Sequence, residues 1–224
     1  MRLSIIVPVY NEEKTLSEIL DRLVNLPLDC EIIAIDDGSS DNSPAILNSY
    51  TSITSICHSD NKGKGAAIRT GLEAVAGDYT VIQDADLEYD PNDIIKMLQT
   101  AERHNADAVF GSRIHNPESG ISYKRFYWGG KFLTFLANLL YDISISDEST
   151  CYKMVRTTLL KSLNLSCERF EFCPELVAKL GKRSIKIFEI PISYTPRKIH
   201  EGKKIRWTDG AEAIWTLIKF RFRN

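Results

Sequence analysis

The sequence lacks the patterns that would assign it to several large classes of protein. Its 5 cysteines contain no Cys-x-x-Cys pair, so a zinc or dithiol site of that spacing is excluded and reduced thiols are expected. The longest apolar stretch, residues 132–141, is interrupted by Thr134 and Asn138. It falls far short of the roughly 20 residues that span a bilayer. No Gly-x-Gly-x-x-Gly turn follows the first apolar run, which argues against a dinucleotide-dependent dehydrogenase.

The charges nearly balance overall, but they are unevenly distributed. The 224 residues carry a formal net charge of −2, and this length suits one domain with a substantial core. Residues 1–100 contain 7 Lys and Arg against 17 Asp and Glu, whereas the remainder contains 21 against 13. The acidic part is a poor partner for nucleic acid, so none is expected. The basic part suits phosphates or an anionic lipid surface.

Strand and helix patterns alternate along the first half of the chain. Apolar runs that suit buried strands cover residues 3–9, 31–35, 53–57, 79–82 and 108–111, with helical patterns between them. The alternation predicts an α/β protein with a Rossmann-like, mainly parallel sheet and helices on both faces. Asn11 is predicted to cap the first helix. Ligands of such folds bind beyond the carboxyl ends of the strands, where the polar clusters of this sequence lie.

Three acidic residues stand at every second position after the fourth apolar run: Asp84, Asp86 and Glu88. Alternate side chains of an extended chain share one face, so these oxygens are predicted to converge on one hard cation. Mg²⁺ and Mn²⁺ both accept such ligands. A dication there would suit a diphosphate leaving group and hence a sugar nucleotide. The alternative is an acidic loop before the helix that Pro91 begins.

Further polar residues follow the other predicted strands. Tyr10 and Glu12 offer a ring and a carboxylate to a nucleotide, or they simply begin a helix. Asp36 and Asp37 either accept hydrogen bonds from a base or ribose, or stabilise their own turn. A glycine-rich turn at residues 61–65 opens a helix, where N–H groups and positive charge favour an anion. Its cationic neighbours are Lys62, Lys64 and Arg69.

Short polar motifs recur along nearly the whole chain. They are Pro8-Val9-Tyr10-Asn11-Glu12, Asp36-Asp37-Gly38-Ser39, Asn61-Lys62-Gly63-Lys64-Gly65, Gln83-Asp84-Ala85-Asp86-Leu87-Glu88, Gly111-Ser112-Arg113, Thr150-Cys151-Tyr152-Lys153, Pro191-Ile192-Ser193-Tyr194, Arg197 and Gly202-Lys203-Lys204. Their order and spacing resemble the family-two glycosyltransferases. The later motifs resemble those of the branch that contains dolichol-phosphate mannosyltransferase and bacterial polyprenyl-phosphate hexosyltransferases.

The resemblance implies a GT-A type fold and an inverting hexosyltransferase that uses a nucleotide-diphosphate sugar of the GDP-mannose or UDP-glucose class. Asp84 would lie near the nucleotide and metal, while Asp86 and Glu88 would be the more direct metal ligands; members of the branch often have Gln where Glu88 stands. The donor site would comprise Pro8, Tyr10, Glu12, Asp36, Asp37, Lys62, Gly63, Lys64, Arg69, Asp84, Ala85 and Asp86, with Arg197, Lys203 and Lys204 pairing with the diphosphate.

The acceptor decides which further residues take part in the chemistry. A polyprenyl phosphate, dolichyl or undecaprenyl, is already anionic and needs cations; by resemblance these are Arg113 and Arg125, with Lys131 as a third. A hydroxyl acceptor of a cell-surface glycan would need a base, either Asp147 or Glu148. A non-catalytic nucleotide-sugar-binding protein is a further alternative.

A lipid acceptor implies that the enzyme acts at a membrane surface. An aromatic and basic stretch at residues 123–140 and the C-terminal helix suit an interface, although packing against the sheet must account for part of each. We expect a cytoplasmic protein that binds peripherally at the inner membrane face, with a separate integral-membrane partner. One domain is predicted over residues 1–224: residues 1–111 for nucleotide and metal, 112–206 for the acceptor, and 207–224 as an amphipathic helix.

Overall fold

The protein is built on one mixed sheet of seven strands. The computed structural model describes residues 1–116, 120, 124–197 and 207–223. The strands are β1 (Leu3–Val9), β2 (Cys30–Asp36), β3 (Thr54–Cys57), β4 (Tyr79–Ile82), β5 (Ala108–Ser112), β6 (Lys153–Arg156) and β7 (Ile187–Pro191). Their order across the sheet is β3-β2-β1-β4-β6-β5-β7. The prediction of a mainly parallel α/β sheet is confirmed.

Eight helices accompany the sheet within the described residues. They are α1 (Leu16–Val24), α2 (Ser43–Ser49), α3 (Lys64–Ala74), α4 (Asn92–His104), α5 (Lys124–Tyr141), α6 (Thr157–Ser162), α7 (Phe172–Lys182) and α8 (Trp207–Phe222). The helix α1 buries Leu16, Ile19, Leu20 and Leu23, which recur at the spacing of one helical face. The strand β1 lies in the middle of the sheet and is buried along almost its whole length, as an apolar run without alternation predicts.

The strand β6 was not predicted, and it is antiparallel to both its neighbours, β4 and β5. Its sequence, Lys-Met-Val-Arg, carries a charge at each end and so resembles a surface segment. Lys153 is nevertheless fully buried, because its ammonium group donates to the backbone oxygens of Glu148 and Thr150. Burial of a charged lysine needs such partners, and sequence alone does not reveal them.

Two local predictions are wrong. The helix α1 begins at Leu16, so Asn11 does not cap it; Asn11 adopts a left-handed φ of 52° and its side chain accepts the N–H of Ser40. The strand β4 ends at Ile82, and the acidic residues after it form a turn in which Leu87 has a φ of 60°. Asp84, Asp86 and Glu88 therefore do not share one face of an extended strand.

A buried glutamate of α7 holds the loop of residues 166–171 in place. Glu175, with no exposed surface, accepts hydrogen bonds from the backbone N–H groups of Ser166 and Cys167 and pairs with Lys179 at 2.7 Å. The loop in turn accepts the N–H of Ala66 through the oxygen of Glu168 at 2.9 Å. This loop therefore supports the glycine-rich turn from which α3 begins.

Replacing Glu175 with Gln should make the protein less stable at neutral pH. We expect E175Q to lower the free energy of unfolding by about 1–3 kcal/mol, because a buried charged acceptor is lost. Burial favours the neutral form, but Lys179 and the two N–H groups outweigh it and lower the pKa of Glu175 below its ordinary 4.5. The charged form therefore stabilises the fold above that pH, and this stability is lost as pH falls through the lowered folded-state pKa.

The measurement is denaturant unfolding at about pH 7 and about pH 3, where the difference between wild type and variant should shrink. The matched control is E168Q, since Glu168 is exposed on the same loop. This control should change stability by less than about 0.5 kcal/mol. An E175Q deficit that is the same at both pH values would contradict the assignment.

Candidate active site

The polar groups of the candidate site lie beyond the carboxyl ends of the central strands. Glu12 follows β1, Asp37 follows β2, Asp84 to Glu88 follow β4, and Arg113 follows β5. Because β2, β1 and β4 are parallel neighbours, their carboxyl ends meet at one edge of the sheet. The predicted position of the site relative to the strands therefore agrees with the architecture.

Three carboxylates converge on the guanidinium group of Arg197. Its NH1 lies 3.0 Å from Oε2 of Glu12, its NH2 lies 2.8 Å from Oδ2 of Asp86, and its Nε lies 3.8 Å from Oε1 of Glu88. The backbone N–H of Arg197 also donates to Glu88 Oε1 at 2.9 Å. Tyr194 completes the group, because its hydroxyl donates to Oε2 of Glu88 at 2.8 Å. We call Glu12, Asp86, Glu88 and Arg197 the arginine cluster.

Asp84 points to a different cation. Its Oδ1 lies 2.5 Å from the ammonium group of Lys64, which is also 3.5 Å from the thiol sulfur of Cys151. Burial raises the pKa of Asp84, but the charge of Lys64 outweighs burial and the net shift is downward. Asp84 is thus held as a carboxylate at the first turn of α3, where an anion was predicted to bind.

The environment of Asp86 disfavours its negative charge. Its burial, with the negative charges of Asp84 and Glu88, raises the pKa of Asp86 to about 7, although Arg197 acts in the opposite direction. The nearby cations thus compensate the acidic groups only in part. A further positive charge beside Asp86 would stabilise its ionised form.

The glycine-rich turn is organised from within by Asp37. This buried carboxylate accepts the backbone N–H groups of Lys62 at 3.0 Å and Gly63 at 2.8 Å. His58 lies 2.7 Å from Asp37 Oδ1 and 2.9 Å from the hydroxyl of Thr70. Asp36 is likewise occupied by Ser39 N–H and the thiol of Cys57. The alternative role of these aspartates, stabilising turns, is thus present in the structure, and the role of His58 had no signal in the sequence.

Arg113 and Asp147 form a partly buried ion pair just beyond the carboxyl end of β5. The backbone N–H, Nε and NH2 of Arg113 donate to the two oxygens of Asp147 at 3.0, 2.8 and 2.7 Å. The guanidinium carbon lies 5.0 Å from the ring centre of Tyr194, a cation–π distance. Burial raises the pKa of Asp147, but Arg113 outweighs it and the pKa is lowered. Tyr194 therefore contacts both Arg113 and the arginine cluster, and the sequence analysis gave it no such role.

The remaining predicted site residues lie in different parts of the fold. Tyr10 is 37% exposed at the end of β1, after the buried strand that contains Pro8. Ala85 is buried, and its oxygen accepts the hydroxyl of Thr15 at 2.7 Å. Arg69 donates to the oxygen of Ser166 at 2.6 Å. The side chain of Arg125 and the residues Lys203 and Lys204 lie outside the described part of the chain.

The donor set fits a divalent ion only when a substrate completes it. Among the described residues, no three His, Cys, Asp or Glu side chains are gathered to hold a metal by themselves. Asp86 and Glu88 nevertheless each direct one oxygen toward the same cationic group, the guanidinium of Arg197. Mg²⁺ commonly binds one or two carboxylates together with substrate phosphates, and this arrangement suits such a site.

Residues 4–163 match the family model described as Glycosyl transferase family 2. The chain belongs to this family. The predicted enzyme class, a hexosyltransferase, and the predicted resemblance to lipid-phosphate transferases are therefore confirmed. The family match covers strands β1 to β6 from Ser4 onward, together with the acidic residues Glu12, Asp84, Asp86 and Glu88.

The chain is similar to curated glycosyltransferases over most of its length. The UDP-N-acetylglucosamine--dolichyl-phosphate N-acetylglucosaminyltransferase of Methanococcus voltae is 31% identical over 90% of this chain and 89% of its own length. The undecaprenyl-phosphate 4-deoxy-4-formamido-L-arabinose transferase of Edwardsiella ictaluri is 28% identical over 89% of this chain and 62% of its own length. The chain thus spans less than two thirds of some relatives.

A solved structure has the same fold. Glucosyl-3-phosphoglycerate synthase from Mycobacterium tuberculosis, in complex with Mn²⁺, UDP and phosphoglyceric acid, matches 99% of this chain and 78% of its own with a TM-score of 0.72 and 18% identity. The predicted GT-A type of fold is confirmed. At this identity the likeness concerns the fold alone.

Substituting Gly63 with Ala should disrupt the glycine-rich turn. Gly63 has a φ of 100°, and a Cβ there would collide with the backbone oxygen of Glu168. We expect G63A to lower the free energy of unfolding by about 1–3 kcal/mol, because both the strained φ and the contact oppose it. Guanidinium denaturation measures the change.

Gly129 provides the matched control. It lies within α5, and nothing lies within 4 Å of a Cβ built there. We expect G129A to raise stability by about 0.5–1 kcal/mol, because alanine costs less backbone entropy in a helix. The two changes should therefore have opposite signs, and a G63A protein as stable as wild type would show that the turn is not constrained as described.

Proposed function

We propose that this family 2 glycosyltransferase moves a hexose from a nucleotide-diphosphate sugar to a polyprenyl phosphate, dolichyl or undecaprenyl, with inversion. An oxygen of the acceptor phosphate bonds to the anomeric carbon while the bond from that carbon to the diphosphate breaks. The nucleoside diphosphate leaves with the electron pair. The observation that carries the proposal is the acceptor-side cation Arg113, held by Asp147 and Tyr194 next to the arginine cluster.

The donor side supports a nucleotide sugar of the UDP-glucose or GDP-mannose class. At the first turn of α3, Lys64 lies beside Asp84 and is proposed to supply a cation for the diphosphate, and Asp37 holds the chain before that turn through the N–H groups of Lys62 and Gly63. Tyr10, exposed after the end of β1, is proposed to contact the nucleotide. The Methanococcus voltae relative is named as a transferase of UDP-N-acetylglucosamine, which favours a uridine nucleotide within this class.

The acceptor side supports an anionic nucleophile. A phosphate oxygen needs a cation to hold it and to reduce its repulsion from the donor. The guanidinium of Arg113 suits that task through its charge and through the N–H groups that do not donate to Asp147. We propose that Arg125, at the first turn of α5, provides a second cation. Both lipid-phosphate transferases among the compared relatives take acceptors of this chemistry by name.

A hydroxyl acceptor is the nearest rival, and it requires a carboxylate base. Both oxygens of Asp147 are already engaged by Arg113, and this pairing lowers the pKa of Asp147 and makes it a weaker base. Glu148 is buried, and its pKa is raised by that burial. Asp147 is therefore poorly suited to the base role. The raised pKa of Glu148 would suit a base, but only 1% of this residue is exposed, so an acceptor hydroxyl would not reach it. A non-catalytic binding protein would not need Arg113 beside Tyr194 and the arginine cluster.

We propose that Mg²⁺ or Mn²⁺ binds at Asp86 and Glu88, near Asp84, together with the donor diphosphate. A bound dication neutralises charge that develops on the departing diphosphate. Asp86 and Glu88 are within reach of one cationic group, and Asp84 is held ionised by Lys64. The Mycobacterium tuberculosis enzyme of the same fold was crystallised with Mn²⁺ and UDP.

Two adjoining helices present an apolar surface that we assign to the membrane. The exposed residues of α5 are Trp128, Phe132, Phe135 and Leu139, and those of α8 are Trp215, Ile218 and Phe222. Their spacings place each set on one helical face. The two helices pack together, with the hydroxyl of Tyr141 donating to the oxygen of Leu217. The sequence of α5 contains no acidic residue, which suits an anionic lipid surface.

This surface, which we call the α5–α8 face, adjoins the edge of the site. A cavity of about 300 Å³ separates α8 from the loop of residues 166–171, and Trp215 lines it. That loop supports the glycine-rich turn. No helix within the described ranges is long and apolar enough to span a bilayer. We propose that the protein binds peripherally at the inner, cytoplasmic membrane face and acts there with an integral-membrane partner.

The transfer assay uses labelled UDP-N-acetylglucosamine, UDP-glucose or GDP-mannose, a divalent metal, and undecaprenyl or dolichyl phosphate. We expect label in the lipid fraction, and we expect R113Q to reduce that transfer by about 10²–10³-fold, because the cation at the acceptor is lost. The control is R156Q, since Arg156 also pairs with an aspartate, Asp107, at 2.8 Å and stacks on a tyrosine, but lies outside the site. Transfer to a soluble hydroxyl acceptor with none to lipid would refute the proposal.

Removing two aromatic side chains should release the protein from membranes. Phe135 and Phe222 are 62% and 81% exposed. We expect F135S/F222S to bind vesicles that contain anionic lipid at least about tenfold more weakly, because each buried phenylalanine contributes about 1.5–3 kcal/mol. Co-sedimentation measures this. V24S changes an exposed residue at the end of α1 and should bind as wild type does, and equal binding by all three proteins would exclude the α5–α8 face.

A further inference from the structure

Arg197 occupies the position beside Asp86 and Glu88 that a bound metal would take. Its guanidinium contacts Glu12 and Asp86 and adjoins Glu88, so it neutralises the same carboxylates that are proposed to hold the dication. These partners come from residues that are 185 and 111 positions away in sequence. A cation bound to Asp86 and Glu88 would meet the positive charge of Arg197 within a few ångströms.

The guanidinium also retains capacity for another acceptor. Its Nε is buried and has no hydrogen-bond partner among the described residues. An arginine presents five N–H donors, and a diphosphate oxygen accepts from such a fork in bidentate fashion. A nucleoside diphosphate therefore offers Arg197 a replacement for the carboxylates that it leaves.

We propose that Arg197 is an internal counter-ion that competes with the divalent metal for Asp86 and Glu88 and that moves from these carboxylates to the donor diphosphate when the nucleotide binds. The inference rests on the proposed function, because it takes a dication and a diphosphate as the ligands of this site. It adds an order to their binding: the metal binds the free protein weakly and binds tightly only together with the nucleotide.

The proposal predicts opposite effects of one substitution on two ligands. Without the guanidinium, Asp86 and Glu88 lose their internal cation, so metal alone should bind more tightly. The diphosphate loses its proposed partner, so nucleotide should bind more weakly. A residue that merely maintained the fold would weaken both, and a residue that bound only the diphosphate would leave metal affinity unchanged.

The experiment is calorimetry of the whole chain with Mn²⁺ alone, and with UDP at saturating Mn²⁺, for wild type, R197Q and R197K. We expect R197Q to bind Mn²⁺ alone at least about tenfold more tightly than wild type, a change equivalent to about 1.4 kcal/mol. R197Q should bind UDP more weakly, and R197K, which keeps the charge, should resemble wild type for Mn²⁺ alone. R156Q is the control for a lost arginine elsewhere, and it should match wild type for both ligands.

The Mn²⁺ comparison decides the inference. No gain in Mn²⁺ affinity for R197Q overturns it, whatever the UDP result. Should R197Q fail to fold, wild type alone remains informative: equal Mn²⁺ affinity with and without UDP overturns the competition. The UDP arm tests the donor proposal separately, because wild type that binds no UDP in the presence of Mn²⁺ refutes the nucleotide donor.

Discussion

The crowding of carboxylates at one edge of the sheet is the constraint on which the rest of the site depends. Glu12, Asp84, Asp86 and Glu88 follow two adjacent parallel strands, so the fold brings their charges together whether or not a ligand is present. Lys64 and Arg197 offset part of this charge. The raised pKa of Asp86 shows that the compensation is incomplete. Residual negative charge suits the dication that we propose for this site, and a bound dication would in turn attract the proposed diphosphate.

The second half of the chain supplies the cations that the first half lacks. The antiparallel strand β6 inserts between β4 and β5 and begins at Lys153, shortly after Cys151, whose thiol sulfur lies 3.5 Å from the ammonium group of Lys64. After β7, a bridge between Tyr89 and Tyr194 holds the chain beside the acidic turn, which allows Arg197 to reach Glu12. Arg197 of the second half thus pairs with Glu12 and Asp86 of the first, whereas Asp84 is paired within the first half, with Lys64.

The sequence predicted what depends on local pattern, and the structure added what depends on long-range pairing. Buried strands such as β1 were predictable because a parallel strand is apolar on both faces. Asp84 and Asp86 were predictable as site residues because of their position after β4. The contact of Asp86 with Arg197 was not predictable, because Arg197 lies more than a hundred residues away. The burial of Lys153 was not predictable either, because the sequence of β6 has a charged residue at each end. The left-handed turn at Leu87 also gave no signal, since leucine seldom adopts a positive φ.

Tyr194 connects the two sides of the site. Its hydroxyl fixes Glu88 in the arginine cluster, while its ring lies against the guanidinium of Arg113. The same short segment carries Arg197, so any shift of residues 194–197 alters the donor carboxylates and the acceptor cation together. A transferase that uses an anionic nucleophile must keep two negatively charged substrates apart until both are bound. A single segment that holds the cations of both sides provides a physical means of coupling one binding event to the other.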